Sequence, residues 1–504
     1  MRHPPRQDCP CPGHITDYVE RLASFGAQKA TVASVDEVKS AQQRVFILSL
    51  HFEADRSRDR KEAASPSVCS NASCDRIQRA LSKGNGKIVA RIWKGSARWW
   101  NLNTNDASGA RRGVGNIARS EIAGYRMARA AISASHASLA CTTSSENDMV
   151  IIPDVIYFSC DYRGDKANNV ETVEHRHEEE EEEDPWAILS YVGDESLYFQ
   201  RNDSISSPIC SSPWVCDGQY AKDMVKIRHE FGCDEPHPRH GRVKEDQALN
   251  YAMQVMDSVV FPLQGAFFSS TDDGRNCNKM SEEEEDLTVL GKPGNLKPKP
   301  FRFMDMVAIY RDAAKKISDS MQVPDAIDPK VGALIAALNI CIENLNNEAK
   351  SCPFLSDNGE LLPASLCHMD LQPQNLILRR HKGEEYDANE VPFVSSVLDW
   401  EEACYADPRF EVLLMARKVC ANREQADLLW KHYSHRLERK HNLIVGPIDP
   451  WLKLETVHSI TTLLLQSMDL VGGGRNPWES KPDLLGKIVR EFARLKAIGW
   501  DLAI

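Results

Sequence analysis

Residues 366–378 read LCHMDLQPQNLIL, and this stretch decides the fold. His368 stands two residues before Asp370, and Asn375 stands five residues after it. An apolar run then ends at Asp399, twenty-four residues beyond Asn375, in the sequence VSSVLDWEEA. Short apolar runs flank both polar groups and predict strands on either side of them. The pattern therefore predicts a site in which strands hold an aspartate, an asparagine and a second aspartate.

These three residue types suit phosphoryl transfer. The transition state spreads negative charge over the transferred group, so catalysis is mainly positioning and charge neutralisation. Magnesium prefers hard oxygen ligands, and the amide of Asn375 with the carboxylate of Asp399 provides them. A further carboxylate must face the acceptor hydroxyl and take or orient its proton, and Asp370 is placed for that task.

The segments HMDLQPQN and LDWEEACYADPRFE resemble the aminoglycoside phosphotransferase and choline kinase superfamily, whose members are similar to protein kinases in fold. The resemblance implies that Asp370 is the catalytic carboxylate and that Asn375 and Asp399 are magnesium ligands. It also implies that His368 is a structural residue of the catalytic loop, which Asp407 braces. The implied substrates are ATP and the hydroxyl of a small molecule.

The N-terminal part carries a second, weaker resemblance to the same family. The run KIVARIW resembles the family's third strand, in which a basic residue reaches the ATP phosphates. The resemblance implies that role for Arg91, with Lys94 as the competing candidate and Glu121 on the next helix as the ion-pair partner. It places Ser190 and Tyr191 at the hinge, where backbone groups meet adenine.

The connector 39–43 would then cover the phosphates, although it contains no glycine. The resemblance covers roughly residues 30–420 of the chain. Three insertions interrupt it, at 53–86, 165–184 and 270–300, and the first of these is expected to be a loop.

Apolar periodicity predicts an α+β chain in which a β-rich lobe precedes a mostly helical lobe. The resemblance implies that these form a bilobal protein-kinase-like fold. The expected domains are an N-terminal extension (1–29), an ATP-binding lobe (30–190) and a helical catalytic and substrate lobe (191–504). Strands are predicted at 31–38, 44–50, 87–93, 149–160, 186–192, 376–379 and 393–398. Helices are predicted at 116–131, 243–260, 303–321, 330–347, 410–418, 423–438, 451–470 and 484–497.

Composition excludes several classes of protein. The 504 residues carry a net charge of −12, and two acidic runs at 178–184 and 282–286 account for it. The remainder is neutral, which argues against nucleic-acid and membrane-surface partners. The fifteen cysteines are scattered, and no signal peptide is visible, so a cytoplasmic location is expected.

The motif departs from that of protein kinases. Met369 replaces the usual arginine, Gln372 replaces the lysine two residues after the aspartate, and Asp399 begins DWE rather than DFG. Glutamine at this position is frequent in choline and ethanolamine kinases, which favours an amino alcohol as the acceptor.

Two features of the sequence allow more than one interpretation. The His-, Arg- and Pro-rich segment 228–242 is either a rigid surface connection or a loop over the active site. Glu401 and Glu402, which follow Asp399, either cap the next segment or take part in metal or substrate binding.

The predicted function is an ATP- and Mg²⁺-dependent small-molecule kinase whose acceptor pocket lies in the helical lobe. A catalytically silent kinase-like scaffold that binds a protein partner is the alternative. The glycine-free connector 39–43 favours the scaffold, and the complete set of Asp370, Asn375 and Asp399 favours the enzyme.

Overall fold

The computed structural model describes the parts of the chain that carry the predicted motifs. The described residues are 11–24, 28–39, 43–54, 71–93, 114–139, 150–159, 184–193, 245–264, 301–320, 329–352, 354–355, 362–379, 393–420, 423–468, 481–500 and 502. Lys94, the tip of the connector at 40–42, the segment 228–242 and the acidic runs, except Asp184, lie outside them.

A five-stranded antiparallel sheet forms the N-terminal lobe. Its strands are β1 (Gln28–Lys39), β2 (Gln43–Ala54), β3 (Lys87–Trp93), β4 (Val155–Phe158) and β5 (Trp186–Ser190). Their order across the sheet is β1-β2-β3-β5-β4. All five were predicted, but the strand expected at 149–160 is confined to β4, because Pro153 cannot donate to a strand ladder.

The two faces of β3 belong to different cores. Ile88 and Ala90 are buried on the outer face of the sheet. Val89 and Trp93 pack into the core that continues into the C-terminal lobe. Successive side chains of a strand point to opposite faces, so Arg91 shares the inner face with Val89 and Trp93. The sheet therefore directs Arg91 toward the junction between the lobes.

Two helices cover the outer face, α1 (Gly13–Ala23) and α2 (Asn71–Lys83). The expectation of a loop throughout 53–86 was therefore wrong for residues 71–83. Ile77, Ala80 and Leu81 recur at helical spacing and are buried in the same cluster as the outer face of β3. The polar, serine-rich composition around them hid this apolar stripe.

Helices dominate the rest of the chain. They are α3 (Val114–Leu139), α4 (Glu245–Val255, continued by a π-helical turn, Met256–Val260), α5 (Phe303–Ser320), α6 (Pro329–Ser351), α7 (Arg409–Lys418), α8 (Arg423–His441), α9 (Asp449–Ser467) and α10 (Lys481–Ala497). Every predicted helix is confirmed, most of them to within about one turn at each end, while α3 runs two turns further than expected. The predicted α+β plan is thereby confirmed.

Two short strand pairs precede and follow the loop that contains Asp370. β6 (Ser365–Cys367) pairs with β9 (Cys404–Ala406), and β7 (Leu376–Arg379) pairs with β8 (Phe393–Val397). The sequence predicted β7 and β8, whereas β6 and β9 are too short to leave a periodic pattern. These pairs bring the loop between β6 and β7 next to the end of β8.

Candidate active site

The loop between β6 and β7 is held by its own buried histidine. His368 is fully buried, and its Nδ1 accepts the backbone N–H of Asp370 at 3.2 Å. Its Nε2 therefore carries the ring hydrogen and donates to the carbonyl of Leu398 at 2.8 Å. Burial lowers the pKa of His368, which keeps the ring neutral. The histidine thus joins the loop to the end of β8.

Asp370 is held by three donors. Gln372 Nε2 donates to Oδ2 at 2.6 Å, and Asn375 Nδ2 donates to the same oxygen at 3.1 Å. Lys418 Nζ lies 3.1 Å from Oδ1. The carboxylate is therefore fixed in position before any substrate binds.

Asn375 is oriented so that its amide oxygen is available. Its Nδ2 donates both to the Asp370 carbonyl at 2.9 Å and to the Asp370 carboxylate, so the NH₂ end of the amide faces the loop. Within the described residues, Asn375 Oδ1 accepts no hydrogen bond. The Asn375 carbonyl accepts the Leu398 N–H at 2.8 Å, which brings Asn375 and Asp399 to adjacent strand ends.

Asp399 lies in a left-handed backbone conformation, with φ of 66°, directly after β8. Its N–H donates to Tyr125 Oη at 3.0 Å, and its Oδ1 accepts from Arg91 Nη2 at 2.7 Å. A residue of α3 and a residue of β3 therefore both contact Asp399.

Arg91 also pairs with Glu121, as the sequence predicted for these two residues. Arg91 Nη1 lies 2.6 Å from Glu121 Oε1, and Glu121 has no exposed surface. Burial opposes the charge of Arg91, but the attraction of Glu121 and Asp399 outweighs it and raises the pKa of Arg91 above its ordinary value. Trp93 Nε1 donates to the other oxygen of Glu121 at 2.7 Å. One guanidinium thus bridges two carboxylates at the junction between the lobes.

The carboxylates around Arg91 form a candidate cation site. Oxygen atoms of Glu121, Asp399 and Glu401 lie within 4.8 Å of one another. Carboxylate and amide oxygens are the ligands that Mg²⁺ prefers, and the uncommitted oxygen of Asn375 belongs to the neighbouring strand end. The donor set therefore fits the ion that the motif implies.

Asp407 and Glu411 contribute differently to the stability of the loop between β6 and β7. Asp407 accepts the Arg409 N–H at 3.0 Å at the start of α7, and it forms ion pairs with Arg409 and Arg302. The direct contact to the loop comes from Glu411 Oε1, which accepts the Met369 N–H at 2.6 Å. Sequence reasoning named Asp407 and missed Glu411, although Glu411 ends the segment LDWEEACYADPRFE, because the sequence does not show which side chain of α7 reaches the loop.

The predicted hinge residues lie where β5 leaves the sheet. Ser190 pairs with Ile88 across the strands, and its Oγ accepts the Asp154 N–H at 2.8 Å. The ring of Tyr191 lies 5.2 Å from Lys87 Nζ. The following Gly193 has φ of 138°, and a Cβ there would lie 2.8 Å from Ile377 Cγ2. The chain therefore passes directly against β7 as it leaves the sheet.

No described helix combines the length and the apolar character that a membrane crossing requires.

Comparison with a family model identifies the part of the chain that contains this site. Residues 302–443 match the model of the phosphotransferase enzyme family. A search of the curated proteins finds no significant match.

Several solved structures are similar over most of their length, but only distantly. A spectinomycin phosphotransferase in complex with ADP and spectinomycin shares 8% identity at a TM-score of 0.40, with 98% of this chain and 96% of that chain covered. A Plasmodium vivax ethanolamine kinase shares 11% identity at a TM-score of 0.38, with coverage of 92% and 83%. A choline/ethanolamine kinase family protein from Mesorhizobium loti shares 11% identity at 0.36, with coverage of 96% and 93%. These values are too low to assign a substrate.

The matched segment begins at Arg302, before α5, and ends after α8, so it includes the loop between β6 and β7, Asn375 and Asp399. The resemblance inferred from the sequence is therefore confirmed, since residues 302–443 match the phosphotransferase enzyme family.

Proposed function

We propose that this protein is an ATP- and Mg²⁺-dependent kinase that phosphorylates a hydroxyl group of a small molecule. The observation that carries the proposal is the fixed Asp370 carboxylate, with the amide oxygen of Asn375 and the carboxylate of Asp399 at adjacent strand ends. Within the described residues, that amide oxygen accepts no hydrogen bond. A site for in-line transfer needs this combination of a proton acceptor and oxygen ligands for a cation.

In the proposed reaction, Asp370 orients the acceptor hydroxyl and takes its proton. The hydroxyl oxygen forms a bond to the γ-phosphorus of ATP as the bond from that phosphorus to the β–γ bridging oxygen breaks. The electron pair of the broken bond leaves with ADP. Asn375 and Asp399 would hold Mg²⁺, which neutralises phosphate charge when bound. Glu401 is an additional candidate ligand for that ion.

The nucleotide would lie between the lobes. Arg91 supports this placement because its guanidinium lies on the inner face of the sheet and contacts Asp399 of the other lobe. Glu121 would hold Arg91 in place, and the backbone at Ser190 and Tyr191 would meet adenine where β5 ends. The corresponding division of the chain is an extension (1–29), an ATP-binding lobe (30–190) and a helical lobe (191–504).

The test is ATP consumption with Mg²⁺ across a panel of acceptors that includes choline, ethanolamine, sugars, aminoglycosides and homoserine. We expect turnover with one class of acceptor, and we expect Asp370→Asn to lower it by about 10²–10⁴-fold, the usual contribution of a catalytic proton acceptor. The matched control is Asp257→Asn, because Asp257 is an exposed carboxylate that pairs with His432 and Arg436.

Two results would argue against the proposal. Unchanged turnover in Asp370→Asn would remove Asp370 from the reaction. Absence of both turnover and nucleotide binding in the wild-type protein would favour the silent scaffold. Nucleotide binding is measured separately by thermal unfolding with Mg²⁺-ATP, since a ligand at 100 times its Kd stabilises the folded state by about 2.7 kcal/mol.

A further inference from the structure

Lys418 lies on the candidate catalytic carboxylate, although no sequence motif marks it. Its Nζ is 3.1 Å from Asp370 Oδ1, and its side chain is 31% exposed. Within the described part of the chain, it is the one cation that contacts Asp370.

The position of Lys418 is set by the helix that carries it. Glu411 in the first turn of α7 and Lys418 in the last are seven residues apart, close to two full turns, so they lie on one face. Glu411 accepts the Met369 N–H, and Lys418 contacts the next residue of the same loop. Val412 and Met415 bury the helix in the core between these contacts. The buried helix α7 therefore fixes the position of the Lys418 ammonium group beside Asp370.

Counting hydrogen bonds shows where an acceptor hydroxyl fits. An ionised carboxylate has about four lone-pair positions, two on each oxygen. Gln372 and Asn375 take both positions on Oδ2, and Lys418 takes one on Oδ1. Among the described residues no other donor contacts Oδ1, so the position that stays open is on Oδ1, next to the Lys418 ammonium. A hydroxyl that donates to Asp370 there has Lys418 as its neighbour.

The neighbouring charges leave this ammonium available. The adjacent Arg417 is committed to Glu455 and Glu491. His458 is also close, but burial lowers its pKa to about 3, so it is neutral. Lys418 is thus the member of this polar group that faces Asp370.

We propose that Lys418 is a catalytic residue of the phosphoryl transfer, a role that rests on the proposed kinase function. As the acceptor oxygen bonds to the γ-phosphorus and the bond to the bridging oxygen breaks, the hydroxyl proton passes to Asp370 and the electron pair leaves with ADP. Lys418 gives up no proton. Its ammonium contacts the oxygens of the transferred phosphoryl group and neutralises their charge in the transition state. In protein kinases a lysine stands at the position of Gln372, which is neutral here. Lys418 supplies that positive charge from α7 instead.

The test compares Lys418→Met and Lys418→Arg with the wild-type protein. Lys453→Met is the matched control, since Lys453 is also an ion-paired lysine but contacts Glu348, away from Asp370. ATP turnover is measured with the acceptor found in the panel or, without one, with water as the acceptor. Urea unfolding of each variant reports on its fold.

We expect Lys418→Met to lower kcat by about 10²-fold or more, the usual effect of removing one transition-state donor, with KM for ATP nearly unchanged. Lys418→Arg should recover part of kcat because it keeps the charge. Lys453→Met should keep the wild-type kcat. A purely structural role for Lys418 would instead lower the stability of Lys418→Met without this selective loss of kcat.

The proposal is overturned if Lys418→Met is folded and turns over ATP within about threefold of the wild-type rate, a change of less than 1 kcal/mol in the barrier. It is also overturned if the methionine variant loses Mg²⁺-ATP binding along with kcat, since the role would then be in the ground state. Failure of the kinase function itself is distinguishable, because the wild-type protein would then neither bind nor consume ATP.

Discussion

Glu411 is a buried carboxyl group that holds the loop between β6 and β7. Its Oε1 accepts the Met369 N–H, and Met369 has a left-handed backbone with φ of 65°. Burial raises the pKa of Glu411 to about 8 from an ordinary value of 4.5, although hydrogen bonds from the Met369 and His368 backbones oppose the shift. Between pH 4.5 and about 8, Glu411 is therefore protonated in the folded state and ionised in the unfolded chain.

This shift gives a pH dependence with a definite sign. Between pH 4.5 and about 8 the folded state binds more protons than the unfolded state, so the free energy of unfolding should fall as pH rises through this window. Glu411→Gln keeps an oxygen for the Met369 N–H and cannot ionise, so its free energy of unfolding should depend less steeply on pH. Urea unfolding across the window measures both slopes. The exposed Glu37→Gln serves as the control, and an unchanged slope in Glu411→Gln would contradict the prediction.

Residues of the site differ in how visible they are in the sequence. Asp370, Asn375 and Asp399 could be predicted because they follow one another at fixed spacing between short apolar runs. Lys418 could not, because a lysine in the last turn of a helix is favourable for the helix dipole alone. Lys418 contacts Asp370 because α7 packs against the loop between β6 and β7, and this packing is not visible in the sequence.

At the scale of elements, α3 packs closely against the turn at 400–402. Gly124 of α3 faces this turn, and a Cβ there would lie 2.9 Å from Trp400 Cβ and 3.1 Å from Ala403 Cβ. Glu121 and Tyr125 stand one turn before and one residue after Gly124 on the same helix. The absence of a side chain at 124 thus sets the distance between these residues and Asp399.

Gly124→Ala tests this spacing. Alanine normally favours a helix over glycine by about 0.5–1 kcal/mol, but here the atoms it meets are next to the backbone and cannot rotate away. We expect a net loss of about 1–3 kcal/mol in the free energy of unfolding and a lower ATP turnover, since α3 must move away from Asp399. Urea unfolding and the turnover assay measure these effects. Gly13→Ala is the control because nothing lies within 4 Å of its Cβ position, and an equally stable Gly124→Ala would contradict the expectation.

Elements with long apolar periodicity could be predicted from the sequence. Elements that form only by pairing with a distant segment could not. The stripes of α5 to α10 leave a clear pattern over several turns. β6 and β9 have three residues each, and they exist because they pair with one another. In α2 the stripe of Ile77, Ala80 and Leu81 is present, but its polar surroundings concealed it.

At the scale of the whole molecule, Arg91 ties the two lobes together. It extends from the inner face of the sheet to Glu121 on α3 and to Asp399 of the helical lobe. We expect Arg91→Met to lower the free energy of unfolding by about 3–5 kcal/mol, because it leaves the fully buried Glu121 without its counter-charge. Urea unfolding measures the loss.

The matched variant is Arg91→Lys, which keeps a charge but offers no second nitrogen to bridge both carboxylates. We expect its stability to lie between those of the wild type and Arg91→Met. A methionine variant as stable as the wild type would mean that the bridge contributes nothing to folding.

The close packing of the chain at Gly193 constrains the evolution of this protein. A side chain at 193 is excluded twice, by the positive φ of the backbone and by Ile377 at 2.8 Å from the Cβ position. Descendants that replaced the glycine would have had to re-route the chain. We therefore expect the glycine to persist among relatives whose surrounding loops have diverged, where it would serve as an anchor for aligning them.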